Sequence, residues 1–85
     1  MPVVYERLMM RRYFFDVVGA QRCKYDYRGR ELPTLEKAYR LAELIALDYA
    51  VDAGDEWTGF IIKVRGAEGH EFFSVPVHAS YVAAA

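Results

Sequence analysis

A single cysteine, Cys23, in 85 residues excludes an internal disulfide framework. Two histidines, His70 and His78, leave no Cys/His spacing of the kind that zinc sites use. Small secreted domains commonly depend on such staples, so the chain reads as a cytoplasmic protein held together by its core alone. Net charge is scarce too. Eleven Lys and Arg stand against 12 Asp and Glu, a formal -1, so no global field draws the chain onto nucleic acid or an anionic membrane. No run approaches the roughly 18 apolar residues of a membrane span, and the first residues lack the apolar stretch of a secretory signal. What is present is hydrophobic: 54% of the chain, with 15% aromatic, enough for one apolar core and too much for disorder.

The apolar residues alternate in two places. YFFDVV, from Tyr13 to Val18, is followed by Gly19 and Ala20 and then by QRCKYDY, which reads as a β-hairpin. A glycine at the first central position suits a two-residue type II′ turn, after which Cys23, Tyr25 and Tyr27 form an apolar face opposite Arg22, Lys24 and Asp26. A second hairpin is expected from WTGFIIKVR, the turn GAEG, and HEFFSVPVH. Pro76 cannot donate to a ladder, which places that strand at an edge or near its end. Between the hairpins, Thr34 is a candidate N-cap, Glu36 falls in the first turn, and a helix is predicted from about Leu35 to Ala53, closed by Gly54. The expected fold is α+β, ββαββ: a four-stranded antiparallel sheet with one helix packed on one face. Trp57 is expected to anchor the chain's re-entry into the sheet.

With that pattern laid out, the chain resembles a family of short alphaproteobacterial proteins of rhizobial type, known only as a domain of unknown function. The residues that carry the resemblance are Arg12, Tyr13, Phe14, Phe15 and Asp16, then Gly19, Asp26 and Gly29. They continue through Glu31, Leu32, Pro33, Leu35, Glu36 and Ala38, and end with Val64, Arg65, Gly69 and Pro76. Gly66 stands where the family usually has an acidic residue, and the family tends to begin where Met10 stands. The chain accordingly divides into an extension over residues 1–9, one ββαββ domain over 10–78 and a frayed tail over 79–85. Either Met10 (or Met9) is the natural start, or the extension is real and adds a short arm. The resemblance implies a bacterial protein and a fold, but no activity.

Catalytic signatures are not apparent. The two histidines stand eight residues apart, more than about 20 Å along a strand, so they cannot share a metal unless the chain bends sharply. Cys23 lacks a designated activating neighbour, Ser74 and Ser80 lack an elbow, and the glycines at 54, 59, 66 and 69 form no phosphate loop. Asp16 and Asp26 are expected to face each other across the first hairpin as solvated decoration near Arg22 and Lys24. We therefore expect no enzyme, cofactor or metal.

Two surfaces remain. At about 100° per residue, Leu35, Ala38, Ala42, Ile45, Ala46 and Tyr49 form the helix stripe that should meet the sheet. Leu44, Leu47 and Val51 fall on a different side, and exposed apolar clusters mark contacts. They suggest a non-enzymatic interaction module, a homodimer or an adaptor for another protein. The alternative is a nucleic-acid-linked regulator whose open sheet face carries Phe14, Ile61 and Phe72 among Arg22, Lys24, Lys63 and Arg65, the aromatic-and-basic arrangement of RNA-recognition sheets. The TLEKA helix start after a hairpin is also similar to small antitoxins, which suits that regulator reading.

Overall fold

The computed structural model describes residues 10–53 and 59–77. The expectations placed on residues 1–9, Gly54, Trp57, His78 and the tail lie outside them. In chain order the elements are β1 (Arg11–Val18), β2 (Cys23–Lys24), β3 (Arg30–Leu32), α1 (Leu35–Ala53), β4 (Ile61–Gly66) and β5 (Glu71–Pro76). All ladders are antiparallel: β1 pairs with β4 over Tyr13 to Val18, and β4 pairs with β5. On its other side β1 pairs with β2 through Val17 and Val18, and with β3 through Arg11 to Tyr13. The sheet is thus four columns wide, as the alternation predicts, with one column split in two. Pro76 stands at the end of β5, an edge strand of the sheet.

One layer of side chains joins sheet to helix. Tyr13, Phe15 and Val17 of β1, Ile62 and Val64 of β4, and Val75 and Val77 bury one face. Opposite them lie Ala38, Ala42, Ala46 and Ala50, an i, i+4 column of α1. Alanine on the contact row lets the helix backbone sit close, while the sheet supplies the bulk. Leu41, Ile45 and Tyr49 pack on its flank. The helix begins as its sequence specifies: Thr34 Oγ1 accepts the Lys37 amide at 3.1 Å, and Glu36 pairs with Arg40 one turn on.

Three local expectations are corrected. The first hairpin has a four-residue loop, Gly19 to Arg22, because Val18 pairs with Cys23 and the Gly19 amide donates to the Arg22 carbonyl at 2.9 Å. Gly19 does not adopt positive φ, so the turn is not type II′; a Cβ there would run into the Phe60 ring. Cys23, Tyr25 and Tyr27 are exposed rather than forming an apolar face, because β2 ends at Lys24 and the chain leaves the ladder. Leu35 is 44% exposed, since it opens the helix ahead of Ala38, where the buried column starts.

Candidate functional site

The split in the outer column is made by two aspartates. Asp16, in the middle of β1, is 2% exposed and points to the face away from the helix, opposite Lys63. Its carboxylate accepts the Arg65 Nε at 2.6 Å and a second guanidinium nitrogen at 3.3 Å, and Oδ1 accepts the Asp26 amide at 2.9 Å. Asp26 in turn takes three backbone amides, those of Phe15, Arg28 and Gly29, each at 3.0 Å. Arg65 closes the circuit by donating to the Asp26 carbonyl at 3.0 Å while its guanidinium stacks 4.7 Å from the Phe14 ring centroid. A carboxylate has therefore replaced a strand as the partner of the Phe15 amide. Residues 25–29 are held as a fixed loop, and Gly29 at φ +71° lets the chain pass close to Arg12 and Phe14.

Electrostatics follow from these contacts. Partial burial pushes the Asp26 carboxyl up, but the Gly29, Phe15 and Arg28 amides, aided by Arg65, outweigh it and hold the group below its ordinary value. The Asp16 carboxylate pushes the Arg65 guanidinium further up, so it is charged at every working pH. These aspartates are not solvated decoration, and their cation is Arg65 rather than Arg22 or Lys24. In the sequence Asp16, Asp26, Gly29 and Arg65 are legible singly, among the residues of the resemblance, but not joined into one network.

The expected basic face is only partly assembled. Phe14, Ile61, Lys63 and Arg65 do share the open side of the sheet, since Phe14 pairs with Arg65 and Val18 with Ile61. Both cations there are matched, Arg65 by Asp16 and Lys63 by Glu71 at 3.7 Å. Lys24 lies opposite Val17, hence on the helix side, with its ammonium 3.4 Å from the Tyr49 hydroxyl. Arg22 is in the loop, its guanidinium 5.5 Å from the centroid of the Phe60 ring. Phe72 is displaced by a bulge that sets Glu71 opposite Arg65; its ring lies over Gly66 and meets Tyr13, a core residue, edge-on at 5.7 Å. Lys24, Arg22 and Phe72 thus leave the proposed face, because register and bulge, which alternation alone does not show, decide orientation.

Two other surfaces are built. On α1, Leu44 is 59% and Val51 62% exposed, with half-buried Leu47 between them. Beside the helix, a groove of about 520 Å³ runs between α1 and the outer column, with Phe15, Val17, Leu41 and Ile45 along it and Lys24, Tyr25, Tyr27, Arg28 and Arg30 at its rim. The Tyr25 phenol is pushed above its ordinary value, first by its hydrogen bond to the Cys23 side chain, so it remains a donor. Among the described residues no group of three or more His, Cys, Asp or Glu is placed to hold a metal ion. No described helix is long and apolar enough to cross a membrane.

The family model for DUF6894, a domain of unknown function, matches residues 12–78. The chain belongs to that family. No curated protein and no solved structure matches it. The match takes in the sheet and helix except for Arg11 at the start of β1, so the Asp16–Asp26–Arg65 network and both surfaces lie inside the DUF6894 domain.

Proposed function

We propose that this DUF6894 domain is a non-enzymatic protein-interaction module that self-associates through the outer face of α1. The observation that carries the reading is angular. At about 100° per residue, Leu44 and Val51 lie diametrically opposite the Ala38–Ala42–Ala46–Ala50 column, with Leu47 beside them. A helix that only roofs its own sheet needs one apolar stripe, and this one has two. Charges around the second stripe are uneven along the axis: Lys37 and Arg40 are balanced by Glu36 and Glu43 in its first half, Arg40 pairing with Glu36, whereas Asp48 and Asp52 leave its second half acidic. A parallel copy would set acids on acids. An antiparallel copy keeps the Asp48 and Asp52 pairs of the two chains apart, sets each against the balanced first half of the other helix, and opposes the helix dipoles favourably. The partner of choice is a second copy of this chain. The lone cysteine and the family resemblance support a bacterial, cytoplasmic setting.

Light scattering on a sizing column tests this. The protein is expected to run as a dimer, and Leu44→Glu/Val51→Glu as a folded monomer, since both side chains are more than half exposed and their change leaves the core intact. A protein that stays monomeric up to about 1 mM, beyond the weak end of specific association, refutes the reading. So does a dimer indifferent to the double substitution.

A further inference from the structure

The outer column concentrates charge that the whole chain lacks. Residues 22–30, RCKYDYRGR, hold four of the 11 cations and one of the 12 acids. That acid, Asp26, is turned inward onto three backbone amides and is committed to holding the loop. Two tyrosines stand beside the cations, Tyr25 at 58% and Tyr27 at 86% exposure, their ring centroids 6.4 Å apart and tilted by 54°. An exposed tyrosine on a mobile loop would need no explanation. Here the loop is fixed by the two aspartates, by Arg65 and by the Arg12 guanidinium on the Arg28 carbonyl, so the rings are presented in place at little further entropic cost. Lys24 and Arg30 lie opposite Val17 and Tyr13, about 13 Å apart along the strand direction, on either side of the tyrosines.

We infer that this edge binds single-stranded nucleic acid, with Tyr25 and Tyr27 stacking on bases while Lys24, Arg28 and Arg30 follow the phosphates. Interleaved rings and cations suit a strand whose bases are unstacked, and the adjoining groove gives a splayed base an apolar floor. An acidic peptide would use the cations but leave the rings idle. The inference does not rest on self-association: Lys24, Tyr25, Tyr27, Arg28 and Arg30 are none of them on the outer face of α1, although Asp48 borders both the groove and that face.

The test is fluorescence anisotropy of the full chain with labelled oligouridylate and oligodeoxyuridylate of about 12 nucleotides, which differ only in the sugar and lie within the usual site size of such grooves. Expected are salt-dependent binding, a weakening of about tenfold or more in Tyr25→Ala/Tyr27→Ala, and a shallower salt dependence in Arg28→Gln/Arg30→Gln. Lys63→Gln, on the other face, should bind as the parent does. Preference for one sugar identifies RNA or DNA through the 2′-hydroxyl, and either preference supports the inference. It is overturned if neither oligonucleotide binds at low salt, if the tyrosine double variant binds unchanged, or if duplex DNA or oligoglutamate binds as tightly as the single strands.

Discussion

Replacing Asp16 by Ala is the sharpest perturbation of this fold. The side chain is 2% exposed and satisfies three donors: two guanidinium nitrogens of Arg65 and the Asp26 amide. Removing one partner of a buried ion pair costs about 3–5 kcal/mol when the survivor is left stranded. Arg65 is not fully stranded: its side chain is 24% exposed, and it keeps the Asp26 carbonyl and the Phe14 ring. Discounting for that contact with water and adding the lost amide bond gives roughly 2–4 kcal/mol. A chain of this size has on the order of 4–13 kcal/mol in all. The variant should therefore melt roughly 10–25 °C lower and unfold at markedly lower urea, read by circular dichroism. The double variant Asp16→Ala/Arg65→Met should recover part of the loss, because no unmatched charge remains. A loss below about 1 kcal/mol for Asp16→Ala would place the pair among ordinary surface bridges and refute the reasoning.

Two further outcomes follow from the same loop. Asp26 has a lowered folded-state pKa, so its contribution is complete above the ordinary carboxylate value of about 3.9 and is lost as pH falls through the lower folded value. Urea midpoints between about pH 5 and pH 2 should fall more steeply for the parent than for Asp26→Asn, and parallel curves would show that the carboxylate does not organise the loop. Gly29→Ala meets both a left-handed φ and the side chains of Arg12 and Phe14, and should cost about 1–3 kcal/mol by urea unfolding. A neutral result there would mean the loop does not rest on Phe14.

What the sequence showed and what it hid divide along the range of the interactions. The helix limits, the Thr34 cap and the row Tyr13, Phe15, Val17 depend on neighbours within a turn or on strict alternation, and both can be read by counting along the chain. The broken outer column cannot. It exists because Asp26 finds the Phe15 amide 11 residues away and Arg65 reaches Asp16 across 49, distances at which sequence spacing carries no geometry. The bulge at Phe72 had the same effect on a smaller scale: one extra residue moved an aromatic ring from the open face to the core edge and put Glu71 beside Lys63. The basic face failed as a reading because each misplaced residue, Lys24, Arg22 and Phe72, depended on a register that the alternation left undetermined. Leu44, Leu47 and Val51 could be named because a helix keeps its angular order whatever it packs against.

A self-associating domain of this architecture has two routes, a sheet edge or the helix, and the structure weighs them unequally. One edge belongs to β1 and its split partner column. There the middle of β1 would offer an open amide at Phe15, but the Asp26 carboxylate occupies it, and residues 25–29 pass alongside. Strand addition on that side would have to break a network of charge-assisted hydrogen bonds first. The other edge is β5, six residues long, opening on Glu71, which is engaged with Lys63, and closing on Pro76, which has no N–H to give. Charge and proline at the ends of a short strand are the usual means of blunting an edge. The outer face of α1 has neither defence along its apolar stripe. Among the described residues both edges are guarded and the stripe is exposed, so the proposed association of helix against helix would disturb none of the hydrogen bonds that hold the fold.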